Sequence, residues 1–490
     1  METDQYATKH EFNFGLDLLK ATKTYSAKPS FVLTEAQVPF AKMGRLMVLF
    51  ALHLHAKGVK RGSLVSLSSM DAVTHFAMFG AVSLLGGVSV WGTQAALRSN
   101  LKIAFKVHAR KMDTPVTKTE IRVDESWSRL PEGVTDVSGL AFKGYPSPDA
   151  PAMIYQTSGS SGTPKFLVGT AKNVTDRIWA RFALDMAAPE RQLLLTPVGA
   201  HMFLTETARS FVVGAQTSVG LPPEVAFARK IDRVFGSPRQ LETWLGAYIP
   251  GTGEKLKMAY STGAETQVPA RRRLLECFDT VRIGYGSAEL GAAVCGHLID
   301  ATTVGDRTVG RILRGASVEI VDENDVPLPV GEEGMIRAKA PTMVSRYLGD
   351  AARTAKVFRD GWVYSGDIGR ITDNGCLELV GRQDHRMNFG GMKLDALTLE
   401  RIVSQVAGVV ECACFSYGEA DHISARLGLA VVSDDTVPQS DLIESISREC
   451  STRMGPFAVP SEILFLDEMP LGATGKLQRA VLPTLVGTKQ

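Results

Sequence analysis

Cysteine is scarce in this chain of 490 residues. The six present are Cys277, Cys295, Cys376, Cys412, Cys414 and Cys450, and none forms a Cys-x-x-Cys pair. That excludes a zinc site of the usual spacing and a disulfide framework, and it makes the reducing cytoplasm the expected compartment. An excess of one charge is also missing. With 54 Lys and Arg against 52 Asp and Glu, the formal net charge is +2, so global electrostatics predict no nucleic-acid or membrane partner. No apolar run reaches the ~18 residues that would suggest a membrane span. The nearest, Leu46 to Ala56, is broken by His53 and His55, which read as core histidines of a helix. The N-terminal Met-Glu-Thr-Asp-Gln-Tyr is polar and acidic, where a secretory leader would be basic and then apolar. At 44% hydrophobic residues, the chain can bury a large core and should form more than one domain.

What the chain does have is a loop rich in hydroxyls and glycines, Tyr155-Gln-Thr-Ser-Gly-Ser-Ser-Gly-Thr-Pro-Lys165. Gly159 and Gly162 let the backbone approach an anion, Thr157, Ser158, Ser160, Ser161 and Thr163 offer hydroxyl donors, and Lys165 adds a positive charge. A phosphate grip is the expected use. It is not a Walker loop, because the fifth residue past Gly159 is Pro164 rather than a glycine followed by lysine. The apolar Met153-Ile154-Tyr155 predicts a strand feeding the loop.

The periodicities predict an α/β protein: a large N-terminal domain of helix-covered β-sheets, a β-rich subdomain, and a small mobile α+β C-terminal domain. Helices are expected over Lys42–Lys57 and Ala72–Leu85, each succeeded by a strand, at Val65–Leu67 and Val88–Trp91. Short apolar runs from Leu193 onward, among them Thr217–Leu221, Arg229–Phe235, Lys257–Tyr260 and Val281–Tyr285, predict a second α/β layer. Val318–Val321, Gly334–Ala338 and Cys376–Val380, separated by Asn, Asp and Gly turns, predict the β-rich subdomain. Past Gly381 come helices at Ala396–Val406 and Gln439–Arg453, and strands at Val409–Phe415 and Leu427–Val432.

Further motifs cluster in the second half. Tyr260-Ser-Thr-Gly-Ala-Glu265 is a strand end running into a small-residue turn, where Gly263, Ala264 and Glu265 let the backbone lie against a flat ring. Ile283-Gly-Tyr-Gly-Ser-Ala-Glu289 sets Tyr285 between glycines, beside Gly286 and Ser287, and puts Glu289 four residues on. An adenine-stacking ring and a magnesium ligand would suit that pattern. Tyr364-Ser-Gly-Asp367 offers a carboxylate able to accept both hydroxyls of a ribose.

These stretches, in this order, closely resemble the motifs of the adenylate-forming superfamily, which comprises acyl-CoA synthetases, adenylation domains of peptide synthetases and firefly-type luciferases. Thr157–Lys165 matches its nucleotide loop, Gly263–Glu265 its adenine turn, Tyr285–Glu289 its Tyr-Gly-x-Thr-Glu motif and Asp367 its ribose-binding motif. By the same resemblance Arg382 would contact ribose or phosphates, and Asp384 would be the hinge of a C-terminal domain. The expected division is then 1–380 for the nucleotide and acyl domain, 381–384 for the hinge and 385–490 for the mobile domain. Gly390, Gly391 and Lys393 fit the motif past the hinge, and Gly-Lys476-x-x-Arg479 fits the C-terminal motif whose lysine would neutralise charge developing on the carboxylate and the α-phosphate. His201 resembles the family's histidine or aromatic at the edge of the acyl pocket.

Departures are equally specific. Ala288 stands where the family has a phosphate-bonding threonine, Asn388 replaces a frequent lysine, and Ala396-Leu-Thr-Leu-Glu400 is a degraded Pro-x-Glu-x-Glu. No aspartate lies between Thr196 and Leu204 to hold an amino acid's ammonium, and Glu206 is expected on a solvated helix face, so a simple carboxylic acid is favoured. Eleven residues follow Arg479, too few for a carrier domain, so the thiol is expected from coenzyme A or from a separate carrier protein's phosphopantetheine. The resemblance thus implies an ATP- and magnesium-dependent ligase that forms an acyl-AMP and passes the acyl group to a thiol. Its rivals are an amino- or aryl-acid enzyme loading a carrier protein and a nucleotide-binding protein that has lost turnover.

Overall fold

The computed structural model describes residues 13–68, 70–92, 103–109, 120–132, 142–157, 165–179, 190–306, 308–383, 386–389, 392–418, 426–471 and 477–487. At Thr157, 386–389 and 392–395 it describes the backbone alone. The expected calls on Ser158, Gly159, Ser160, Ser161, Gly162, Thr163, Asp384, Gly390, Gly391 and Lys476 therefore lie outside the described residues, as do the side chains of Thr157, Asn388 and Lys393.

A first sheet has six strands, in the spatial order Glu120–Arg122, Phe105–His108, Leu64–Ser68, Val88–Trp91, Pro151–Thr157 and Lys165–Thr170. Its neighbours run parallel except for the last pair, a hairpin in which Thr157 faces Lys165 across the root of the Ser/Gly loop. The helix Ala72–Leu84 packs on this sheet and buries residues on almost every side, as an all-round apolar helix must. Asp71 caps it by accepting from the Val73 and Thr74 amides at 2.9 and 3.0 Å. Phe40–Ala56 is the second predicted helix, shifted two residues from its expected start. In it His53 stacks on Trp127, but His55 is exposed, so the expectation of two core histidines fails for His55; the two residues sit on different faces.

The second sheet is long. Its central strands, Pro29–Val32, Gln216–Ser218, Arg191–Leu194, Arg233–Gly236, Leu256–Thr262 and Phe278–Gly286, are parallel to one another, and Gln37–Pro39 adds an antiparallel edge beside Pro29–Val32. At Phe278–Gly286 the sheet turns antiparallel and continues through Ala293–Ile299, Thr308–Ile312, Cys376–Arg382, Trp362–Ile371, Gly334–Lys339 and Ser317–Val321. The predicted β-rich strands are thus hydrogen-bonded onto the α/β sheet, although Val318, Ile336, Val363 and Leu377 keep a core of their own. The apolar run Arg229–Phe235 divides: Arg229 ends a short helix, Pro223–Ala228, and only Arg233–Gly236 is strand.

A third sheet, Val409–Tyr417, Arg426–Ser433 and Glu462–Phe465, packs with the helices Ala396–Val403 and Gln439–Met454 around Leu399, Val403, Cys414, Leu429 and Ile446. Between it and the second sheet lies a hairpin, Arg386–Phe389 with Met392–Asp395. Ion pairs join this C-terminal unit to the rest: Arg239 Nη1 donates to both oxygens of Glu411 at 2.7 Å, and Arg401 Nε donates to Glu265 at 3.0 Å. No helix among the described residues is long and apolar enough to cross a membrane.

Candidate active site

Several of the predicted site residues lie at the carboxyl ends of parallel strands, where open α/β sheets accept ligands, and Asp367 and Arg382 join them from the antiparallel extension of the second sheet. Thr157 ends its strand at the Ser/Gly loop, Thr262 leads into the Gly263 turn, and Tyr285 and Gly286 close Phe278–Gly286. Lys165 begins the return strand of the hairpin and is half-buried. Gly263 has φ +91°, a left-handed conformation that favours glycine, and a Cβ there would meet nothing within 4 Å. The turn therefore presents open backbone, with Ala264 exposed beside it. Thr262 Oγ1 donates to the Gly284 carbonyl at 2.9 Å and joins the two strand ends into one edge. Glu265, expected at the nucleotide, is held by Arg401 of the C-terminal unit.

Tyr285 and Asp367 are far apart in sequence yet in direct contact. The tyrosine hydroxyl donates to Asp367 Oδ2 at 2.6 Å and lies 3.2 Å from Ser365 Oγ, and Arg382 Nη1 donates to Asp367 Oδ1 at 2.9 Å. The register makes this possible, since Asp367 and Arg382 face each other on adjacent strands. Burial, reinforced by the Asp367 charge, pushes the Tyr285 hydroxyl well above its ordinary range, so it stays protonated and donates. An aromatic ring, a carboxylate and a guanidinium thus stand together as a nucleoside site requires.

The Ser287–Leu290 turn is pinned from behind. The Gly291 amide donates to the Ser287 carbonyl at 3.0 Å, the Tyr155 hydroxyl to the Ala288 carbonyl at 2.8 Å, and the Val344 amide to the Glu289 carbonyl at 2.9 Å. The Glu289 carboxylate accepts from the Tyr347 hydroxyl at 2.5 Å. Tyr347 is brought there by an isolated bridge to Leu167 and by the Leu348 amide donating to the Phe166 carbonyl, so the strand that follows the Ser/Gly segment also positions the partner of Glu289. A magnesium ion bound to nucleotide phosphates needs only one or two protein carboxylates, and a single glutamate at this turn fits that demand.

Tyr155 is wholly buried, its ring stacked on His201 with centroids 4.6 Å apart. Arg177, also wholly buried, donates from Nη2 to the Tyr155 hydroxyl at 2.5 Å and to the Ala288 carbonyl at 3.3 Å. Its charge cannot be read from sequence as structural, because its partners lie 22 and 111 residues away. Tyr347, Ser365 and Arg401 were missed for the same reason.

Glu206 corrects an expectation. It is 1% exposed rather than solvated, and it accepts from Arg209 at 2.5 Å and Arg233 at 3.1 Å. The helix His201–Phe211 buries Phe203, Leu204, Thr207, Ala208 and Phe211, which leaves no wet face at position 206. With both carboxylate oxygens engaged, Glu206 is not available to hold an ammonium group.

Comparison with known proteins bears on the chain as a whole. A family model described as AMP-binding enzyme matches residues 19–348, and one described as AMP-binding enzyme C-terminal domain matches 398–476. The 4-chlorobenzoate–CoA ligase of Arthrobacter sp is 25% identical over 466 residues, covering 89% of this chain and 87% of that protein. Nonribosomal peptide synthetase 5 of Aspergillus fumigatus is 26% identical over 357 residues, 69% of this chain and 15% of its own length. Among solved structures, the O-succinylbenzoate coenzyme A synthetase of Bacillus subtilis in complex with AMP has a TM-score of 0.81 at 17% identity, covering 98% of each chain. The same synthetase is also solved with ATP and magnesium, at a TM-score of 0.80, 18% identity, and coverage of 96% of this chain and 98% of its own.

Proposed function

Because the chain belongs to the AMP-binding enzyme family, we propose that it activates a carboxylic acid with ATP to an acyl-AMP, releasing pyrophosphate, and then transfers the acyl group to coenzyme A. The observation that carries the reading is the Tyr285–Asp367–Arg382 assembly beside the Glu289 turn, at the strand ends. In the first half-reaction a carboxylate oxygen bonds to the α-phosphorus and the bond to pyrophosphate breaks. Asp367 would accept the ribose hydroxyls, Tyr285 would stack on adenine across from the Gly263 turn, and Ser287 with the Thr157–Lys165 loop would hold the phosphates. Glu289 would bind magnesium, whose charge would offset that of the leaving pyrophosphate. Lys476 would neutralise the charge that develops between acid and phosphate.

In the second half-reaction the thiol sulfur bonds to the acyl carbon, AMP leaves with the electron pair of the broken C–O bond, and the thiol proton passes to solvent. The C-terminal unit from residue 385, pivoting on residues 381–384 and Asp384, would exchange Lys476 for the Lys393 hairpin between the two steps. The acid would enter beside His201, where the Tyr155 stack and the occupied Glu206 favour a flat or apolar acyl group over an amino acid. The similarity to a 4-chlorobenzoate–CoA ligase supports an aromatic acid. The match to a peptide synthetase supports a second acceptor, the phosphopantetheine of a separate carrier protein. All six cysteines are unpaired, which supports a cytoplasmic setting.

Pyrophosphate exchange into ATP across a panel of aliphatic, aromatic and amino acids, with and without coenzyme A, tests the reading. Exchange with one acid class, and AMP release that requires coenzyme A, is the expected result. Lys476→Ala should lower exchange by orders of magnitude while ATP still binds. Exchange unchanged in that variant removes Lys476 from the chemistry, and silence across the panel with ATP bound turns the reading to a binding protein.

A further inference from the structure

Arg177 has no role in the chemistry above, yet its surroundings are built around it. It sits near the end of the helix Ala171–Trp179, is wholly buried, and spends its donors on groups from three separate segments. Nε donates to the Thr342 carbonyl at 3.2 Å, and Nη2 donates to the Tyr155 hydroxyl and the Ala288 carbonyl. Its guanidinium carbon lies 5.0 Å from the Tyr155 ring centroid. Nη1 is buried with no hydrogen-bond partner among the described residues.

A guanidinium carries a fixed charge, and a buried one without a facing carboxylate is costly. No acidic side chain answers Arg177 in an ion pair among the described residues, so its contacts are all to neutral oxygens. Such a charge is stabilised when an anion binds near it. Two of its contacts mark where that anion belongs. Tyr155 lies two residues before Thr157, at which the phosphate loop begins, and Ala288 immediately precedes Glu289. Ala288 is also the position that lacks the family's phosphate-bonding threonine hydroxyl, and its backbone carbonyl accepts from both Tyr155 and Arg177.

We propose that Arg177 is a positioning residue for the phosphates of magnesium-bound ATP: it ties the strand that enters the phosphate loop to the Ser287–Glu289 turn and sets a buried positive charge behind both. The inference rests on the nucleotide site described above and adds to it a residue that touches neither ribose nor adenine. Its effect therefore falls most on the triphosphate and its metal and least on AMP, which carries one phosphate and would be held mainly through its base and sugar at Tyr285 and Asp367.

The test uses the full chain with Arg177→Met, Arg177→Lys and Tyr155→Phe, and titrates magnesium-ATP and AMP separately by calorimetry. Arg177→Met should weaken magnesium-ATP at least tenfold and AMP less than threefold, and Arg177→Lys should recover part of the loss. Tyr155→Phe, which keeps the stack on His201 and the cation but removes the hydroxyl bridge, should weaken magnesium-ATP two- to fivefold with AMP unchanged. A proportional fall in both affinities, or no fall in either, overturns the proposal. If both arginine variants fail to fold, the ATP-to-AMP ratio of Tyr155→Phe decides by the same criterion. Wild-type protein that binds neither nucleotide refutes the nucleotide site itself, an outcome distinct from the other two.

Discussion

Replacing His75 tests how the core meets acid. The imidazole lies in the helix Ala72–Leu84, is 2% exposed, stacks on Trp91 with centroids 4.5 Å apart, and has no hydrogen-bond partner at either nitrogen among the described residues. Burial pulls its pKa from 6.5 down to about 4, against the opposing pull of Asp71. The neutral ring is therefore the native form, and an unfolded chain binds the proton more readily. Stability from this group is complete above pH 6.5 and is lost as the pH falls toward 4. Linkage makes the loss about 2 kcal/mol between pH 7.5 and 5, and about 3 kcal/mol by pH 4. His75→Phe keeps a flat ring against Trp91 and removes the titration. Urea denaturation of both proteins at pH 7.5 and pH 5, followed by tryptophan fluorescence and circular dichroism, should show the wild type losing about 2 kcal/mol more than the variant over that interval. A constant offset at both pH values means the ring is protonated in the fold or rehydrated there, and it refutes the argument. The consequence reaches the proposed acyl site, because the His75 ring edge lies close to Gly199, two residues before His201.

Two further predictions follow from buried and half-buried charges. Glu206→Ala leaves the Arg233 and Arg209 guanidiniums without their carboxylate and should cost about 3–5 kcal/mol in urea denaturation, with Glu206→Gln milder; a loss below about 1 kcal/mol would mean that water or another anion replaces it. Arg239 and Glu411 are about one-third exposed, at 30% and 35%, so a double-mutant cycle in denaturation should give a coupling of at most about 1 kcal/mol that fades in high salt; more than about 2 kcal/mol would make the contact between the two units rigid.

Much of the fold could be read in the chain because the physics was local. The helix Ala72–Leu84 announces itself by Asp71 at its start and Gly86-Gly87 beyond its end, and Val88–Trp91 is four apolar or small residues between turns. The nucleotide motifs were legible because loops that hold phosphate and ribose need glycines and hydroxyls at fixed spacing. Long-range pairing left no such mark. Nothing in the run Cys376–Arg382 says that it will pair with Thr308–Ile312 and so extend the α/β sheet. Arg177 and Glu206 have the ordinary look of charged residues on amphipathic helices, and only the neighbours that fold over them, Thr342 in one case and Arg233 in the other, make them interior. Tyr347, Ser365 and Arg401 emerge only in three dimensions, because their partners Glu289, Tyr285 and Glu265 lie 58, 80 and 136 residues away.

The pairing of Asp367 with Arg382 and Tyr285 also bears on how the site empties. A carboxylate kept waiting without partners would grip an incoming diol hard and strand a bare charge when it left. If Asp367 takes the ribose as proposed, the departing ligand would hand it back to donors that stand at 2.6 and 2.9 Å. Binding becomes an exchange of hydrogen bonds whose net value is small. Release would then leave the Asp367 carboxylate partnered, and a site arranged in this way would give up tightness in the ground state for speed in letting its product go.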